Sequence, residues 1–259
     1  MKILILMTNR KTLHLLDGEM RPSGFWAEEF VVPYKHFKQE GYEINVATIQ
    51  GIPPTVDQTS IDPAMLLNVK PANVQIDANV QAAEYLQVIE NVPDLKSPLN
   101  LDLFTREQVA SYDGVYICGG HGAIGDMPKS DEMTQVLRWM IEMDRPIATV
   151  CHGHCSLLNL RDSESKWPFA GYRLTAFSHS EELVTSMAGR LPFVLEVELT
   201  RLGALYEKAS VMWESHVVVN RNLVTGQNPY SSKAVAESFV QKLGNAKTPD
   251  MRKQCIKFL

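Results

Sequence analysis

The sequence predicts an α/β fold: a three-layer sandwich whose mainly parallel sheet is covered by helices on both faces and carries an inserted cap. Two observations predict it. Three short β-branched, apolar runs, Ile3 to Met7, Val115 to Cys118 and Ile147 to Val150, have the composition of strands buried on both faces. Segments of helical periodicity lie between them, and strands that alternate with helices build parallel sheets.

The elements follow in order. After the first strand, a helix is expected from about Phe25 to Gln39, with Pro33 kinking it and Gly41 separating it from a second strand over Glu43 to Ile49. The stretch from Gly51 to about Leu103 breaks the alternation. It carries Pro53, Pro54, Pro63, Pro71, Pro93 and Pro98 and reads as a cap beside the sheet's carboxyl edge, helical near Pro63 to Leu67 and Val80 to Glu90. Met133, Val136, Leu137, Met140 and Ile141 follow the i, i+3, i+4, i+7, i+8 rhythm of a helix with one buried face, and Pro146 bars its continuation. Val217 to Val219 and Leu223 to Thr225 flank Asn220-Arg221-Asn222 as a hairpin. A last helix runs from about Ser231 to Leu243 and is expected to stop at Gly244. One α/β domain over 1–245, with the cap at about 51–103 and a tail at 246–259, accounts for the chain.

A chain of 259 residues with 45% hydrophobic content buries one substantial core. The net charge is −5, and neither charge sign gathers into a block, which argues against nucleic acid or a membrane surface as partner. The opening apolar run is too short for a signal-peptide core, and no stretch approaches the roughly 20 apolar residues of a membrane helix. Four irregularly spaced cysteines without an export signal indicate reduced thiols and a cytoplasmic protein.

In open α/β sheets, ligands bind beyond the carboxyl ends of the strands, and two clusters fall there. Cys151-His152-Gly153-His154-Cys155 follows the third run. A strand that turns sharply into a helix at Cys151 holds the sulfur at a helix N-terminus, where the dipole favours thiolate and nucleophilic attack. Gly119-Gly120-His121-Gly122 follows the second run, with Asp126-Met127-Pro128 close behind. Glycines there let main-chain N–H groups approach an attacked carbonyl and stabilise its oxyanion. Packing is the expected place for Cys118, Cys155 and Cys255, and a packed or solvated position for His154. His14, His36, His179 and His216 share no metal-ligand spacing, so no metal site is expected. Trp26 and Trp213 read as core or pocket wall.

At these residues the sequence resembles the DJ-one/PfpI superfamily, whose core is flavodoxin-like and shared with class I glutamine amidotransferases. More narrowly, it resembles the branch of heat-shock holding chaperones also called glutathione-independent glyoxalases, or glyoxalase III. The matching strings, in order, are Ser23-Gly24-Phe25-Trp26-Ala27-Glu28-Glu29 with Pro33, Gly119-Gly120-His121-Gly122, Val150-Cys151-His152-Gly153, Thr175-Ala176-Phe177-Ser178 with Glu181-Glu182, and Leu223-Val224-Thr225-Gly226-Gln227-Asn228-Pro229. His154 and Cys155 depart from the family's pattern.

The resemblance implies a site. Cys151 is the nucleophile, Glu29 the glutamate that reaches it, with Glu28 facing elsewhere, and His152 the adjacent histidine. Glu182 is the acid that orients His152, with Glu181 the neighbour it could be confused with, and Gly119, Gly120 and His121 bind the substrate and its oxyanion. The implied activity converts methylglyoxal or a related 2-oxoaldehyde to a 2-hydroxy acid without cofactor, with His152 or Glu29 moving the proton between carbons. Deglycase action on glycated groups is a further implied activity. Alternatives within the same superfamily are a holding chaperone for unfolded clients and a redox or stress sensor, and a homodimer is expected by analogy.

Overall fold

Seven strands form the central sheet of the computed structural model, which describes residues 1–247. Across the sheet they run Val217–Asn220, Leu223–Gly226, Ile147–Val150, Gly114–Ile117, Lys2–Leu6, Glu43–Thr48 and Leu99–Asn100. Every neighbouring pair is parallel except the first, the antiparallel hairpin around Arg221, whose φ of 51° makes the tight connection.

Both faces of the sheet are covered, which is why its central strands are apolar runs rather than alternating ones. Successive side chains point to opposite faces. Leu4, Leu6, Val115 and Ile117 therefore join one core with Met133, Leu137 and Met140 of the Asp131–Glu142 helix. Ile3, Ile5, Tyr116 and Ala148 join a second core with Phe30 and Phe37 of the Ala27–Gln39 helix and Phe239 of the last helix. Phe37 meets Tyr116 and Phe239 edge-on at 5.6 and 5.8 Å, a favourable aromatic geometry.

Three expectations need correction. The last helix spans Ser232–Lys247 and passes through Gly244, because a glycine weakens a helix by only about 1 kcal/mol and the good helix formers Ala246 and Lys247 lie just beyond it. The segment read wholly as a cap returns to the sheet, where Leu99–Asn100 pairs with Ala47 and Thr48 as the edge strand. The helix after Cys151 is a seven-residue 3₁₀ helix, Cys151–Leu157. The expected tail lies outside the described residues from 248 onward, as does Cys255. Among the described residues no helix is long and apolar enough to cross a membrane.

The chain moves from the Lys2–Leu6 strand to Glu43–Thr48 on one side and later to Gly114–Ile117 on the other. That reversal opens a crevice at the carboxyl ends of the strands. The Gly119–Gly122 loop and Cys151 both leave the sheet at this edge.

Candidate active site

Cys151 is the first residue after the Ile147–Val150 strand, and its φ of +54° lies in the left-handed region that residues with a Cβ rarely adopt. His154 Nδ1 holds this bend by donating to the Cys151 carbonyl at 2.8 Å. Gly153 must be glycine, because a Cβ would come 2.7 Å from Thr149 Oγ1 and 2.9 Å from the Ile117 carbonyl. The bend turns the Cys151 side chain toward a cleft of about 670 Å³ lined also by Gly120, His121, Trp26, Phe177 and Trp213. Met65 and Val69, from the segment expected to cap the sheet, line its other side.

Glu29 reaches the sulfur from the Ala27–Gln39 helix. The start of that helix is clamped: Phe25 N–H donates to the Thr55 carbonyl, Ala27 N–H to Ser60 Oγ, and Gly122 N–H to the Gly24 carbonyl, all at 2.9 to 3.1 Å. The Ser23-Gly24-Phe25-Trp26 string thus ties the helix to the cap on one side and the glycine loop on the other. Glu29 is fully buried. The Cys151 thiol and the Gly119 N–H face its carboxyl and bear on its ionisation, although neither oxygen has a hydrogen bond of regular geometry. No basic side chain is among the groups acting on it, so burial drives its pKa well above the usual carboxylate range and it stays protonated. Gly119 leaves room for it, since a Cβ there would lie 2.5 Å from Glu29 Oε2.

The sulfur is not the thiolate that the helix end was expected to favour. Burial, followed by the charge of the Glu29 carboxyl when ionised, pushes the Cys151 pKa well up, and the His152 N–H opposes this only weakly. The dipole of a short helix is outweighed by desolvation at a sulfur only 4% exposed.

His152 lies on the other side of the sulfur, with Nδ1 3.3 Å from Cys151 Sγ and Nε2 2.8 Å from Glu182 Oε2. The second Glu182 oxygen takes His121 Nε2 at 3.0 Å, and the two imidazoles lie with centroids 4.3 Å apart, tilted by 37°. An ionised carboxylate only accepts hydrogen bonds, which assigns the proton of each neutral ring to Nε2 and leaves both Nδ1 atoms as bases. The His152 lone pair then points at the thiol. Burial alone would raise the Glu182 pKa, but the neighbouring His152 and His121 override it and hold the carboxyl well below its ordinary range. Burial and His121 together push the His152 pKa down, against the pull of Glu182.

Glu181 has a different task. It caps the His179–Glu182 helix through Ser178 and accepts from the Trp213 N–H at 2.9 Å and Asn228 Nδ2 at 2.8 Å, so it ties two loops together behind the site. Neighbouring residues on a helix point about 100° apart, and only Glu182 meets the histidines. Glu28 does face elsewhere, toward Tyr85 and Tyr230, and burial pushes its carboxyl up to about 7. Cys118 and Cys155 are fully buried core residues. His154 is also sealed, and burial lowers its pKa to about 3.

One buried group was missed. Asp126 accepts from Thr8 Oγ1 at 2.8 Å and the Asn9 N–H at 3.1 Å, fastening the end of the first strand to the helix after the glycine loop. Its position in the quoted Asp126-Met127-Pro128 string was the available signal. Among the described residues one group of metal-competent donors, His121, His152 and Glu182, lies within 4.8 Å, and hydrogen bonds already join those atoms.

A parallel sheet with a cysteine at a left-handed strand end, flanked by a glutamate and a histidine, defines the class. Residues 20–240 match the family described as ThiJ/PfpI family-like, and the chain belongs to it. Among its relatives, the protein/nucleic acid deglycase HchA of Pseudomonas aeruginosa is 27% identical over 241 residues, 89% of this chain and 77% of the relative. The Escherichia coli protein of the same name is 26% identical, over 93% of this chain and 81% of its own. The structure of Rapid Encystment Protein from Francisella tularensis superposes with a TM-score of 0.75 at 25% identity, covering 93% of this chain and 98% of that one. Glyoxalase III from Candida albicans gives the same score at 22% identity over 93% and 96%, a likeness of fold.

Proposed function

We propose that this chain is a cofactor-independent, cysteine-dependent enzyme of the glyoxalase III type that converts methylglyoxal or a related small 2-oxoaldehyde to its 2-hydroxy acid. The observation that carries the reading is the line Cys151 Sγ, His152 Nδ1, His152 Nε2, Glu182 Oε2, with spacings of 3.3 and 2.8 Å at the two hydrogen bonds. It is a nucleophile, a base and an orienting acid in sequence.

In this reading the resting thiol is neutral. As the aldehyde arrives, His152 takes the thiol proton, the sulfur adds to C1, and the proton passes to the new oxyanion to give a hemithioacetal. Main-chain N–H groups of Gly120 and His152 steady that oxygen, and protonated Glu29 offers the sulfur a hydrogen bond without a repelling charge. A base then moves the C1 proton to C2. The resulting thioester is hydrolysed to the 2-hydroxy acid, C1 being oxidised as C2 is reduced, so no external redox partner enters. The same thiol is proposed to act on glycated groups, in line with the names of the HchA relatives.

Cys151→Ala tests the reading by following methylglyoxal loss and lactate formation. Turnover is expected to vanish, whereas a variant with wild-type turnover refutes it. A holding chaperone has one observation behind it, the exposed Val184 and Met212 beside the cleft mouth. Suppression of client aggregation by a Cys151→Ala variant that lacks turnover would establish that second activity. The family analogy extends to a cytoplasmic homodimer, and light scattering checks the dimer; the net charge of −5 without a basic block favours no charged nucleic-acid or membrane surface as a standing partner.

A further inference from the structure

We infer that His121, the histidine of the glycine loop, is the base that carries the proton from C1 to C2, while His152 serves only the sulfur and the first oxyanion. The inference rests on the glyoxalase reading and assigns the step which that reading leaves open.

Three groups near the sulfur are candidates, and the geometry separates them. Glu29 is fully buried, does not line the cleft, and is held protonated by its dry surroundings, so it offers no basic oxygen to take a proton from a C–H bond. His152 is 1% exposed, is absent from the cleft lining, and has both ring nitrogens engaged, Nδ1 with Cys151 and Nε2 with Glu182. Phe177 covers it, with ring centroids 4.6 Å apart. His121 does line the cleft, beside Cys151 and Gly120. Its Nε2 is fixed by Glu182, and its Nδ1 has no hydrogen-bond partner among the described residues. The carboxylate thus leaves His121 with a lone pair on Nδ1, on a ring held at the cleft that contains the nucleophile.

The chemistry balances with this division. His152 returns the thiol proton to the C1 oxygen, so it is neutral again when the hemithioacetal is complete. His121 Nδ1 then takes the C1 proton. The released electron pair forms the C1–C2 double bond, and the former C2 carbonyl becomes an enediolate oxygen. His121 gives the proton back at C2 while the hydroxyl proton on O1 moves to O2, which leaves a 2-hydroxy thioester. Water adds at C1 and the thiol departs with a proton. The two rings are charged in turn, never together, and a single Glu182 carboxylate balances each. Their close approach, with centroids 4.3 Å apart, makes simultaneous protonation unfavourable and so enforces the alternation.

The test is His121→Gln, whose side-chain N–H can replace Nε2–H toward Glu182 but which has no basic lone pair. Three quantities are read: kcat and KM for methylglyoxal, the rate of Cys151 alkylation by iodoacetamide, and the kinetic isotope effect with methylglyoxal deuterated at C1. The expected result is a fall in kcat of roughly 100-fold or more, the range of a lost general base. KM and alkylation should stay within about threefold of wild type, as catalysis by positioned bases acts on the transition state. The isotope effect on kcat should rise as C–H cleavage becomes limiting. A kcat within threefold of wild type overturns the inference and leaves the glyoxalase reading intact. Parallel loss of turnover and alkylation overturns it too, because it makes His121 a support for the thiol. If wild type alkylates but turns over no 2-oxoaldehyde, the glyoxalase reading itself has failed.

Discussion

Two glutamates serve the same sulfur, one beside it and one through His152, and their surroundings leave the first neutral and the second ionised. Glu29 enters from the Ala27–Gln39 helix into a space with no basic group, and burial keeps its proton on. Glu182 is 6% exposed, yet two imidazole N–H groups hold it ionised. Residue type and burial are therefore insufficient to assign a role. What decides is whether hydrogen-bond donors compensate the lost hydration, and for Glu182 they do: His121 and Thr185 on one oxygen and His152 on the other.

The largest expected effect sharpens that contrast. Glu182→Gln cannot accept from both histidines: its amide N–H₂ would face one Nε2–H and force that ring to the other tautomer. Turnover should fall by about 10³-fold or more, the scale seen when an orienting acid becomes an amide. Glu29→Gln keeps a neutral donor beside the sulfur and should cost only about 10-fold. Steady-state kcat with methylglyoxal compares the two, and equal losses would break the distinction.

His154 extends the comparison to a base held neutral by burial. Its folded pKa, about 3, lies below the ordinary histidine value of 6.5, so its contribution to stability is present above pH 6.5 and is lost as pH falls toward 3. His154→Asn keeps a donor toward the Cys151 carbonyl and should remove about 2–4 kcal/mol of that acid-induced loss. Urea unfolding at pH 7 and pH 4 measures it, and an unchanged difference between the two would refute the assignment.

Gly119→Ala presses on Glu29 and leaves Glu182 untouched. The new Cβ would meet Glu29 Oε2 at 2.5 Å and the Val150 carbonyl at 2.6 Å, and overpacking of this kind costs about 1–3 kcal/mol. Thermal unfolding should show the loss. The smallest effect belongs to Glu28. Its carboxyl is raised to about 7, so ionisation weakens the fold as pH climbs from the ordinary carboxylate range through 7. Because the residue is only partly sealed, Glu28→Gln should stabilise by about 1 kcal/mol at pH 8 and not at pH 4. A denaturation series across that range decides it.

Much of the fold was legible because strands buried on both faces need uninterrupted apolar runs, and those runs are the central strands. The Asn220-Arg221-Asn222 turn and the amphipathic Asp131–Glu142 helix were legible for the same reason: one local pattern encodes each. The region after Leu158 was not. Its strands are two-residue pieces, Arg173–Leu174 and Leu205–Tyr206, paired across some thirty residues with no periodicity to reveal them. In the site, family strings located Cys151, His152 and Glu29, and left Glu181 and Glu182 adjacent candidates. Only three-dimensional placement separates those two, since the partners of Glu182 lie 30 and 61 residues away in sequence. The ionisation of Cys151 was misread because a local helix end is visible in sequence and the desolvation around it is not.

The left-handed main chain at Cys151 sets stability against the proposed activity at a single position. A glycine there would lose the sulfur and relieve a conformational cost of about 1 kcal/mol. Laboratory selection for heat resistance alone should therefore drift toward discarding the thiol, and a thermostable lineage without it would be the mark of a scaffold that bears its candidate nucleophile under tension.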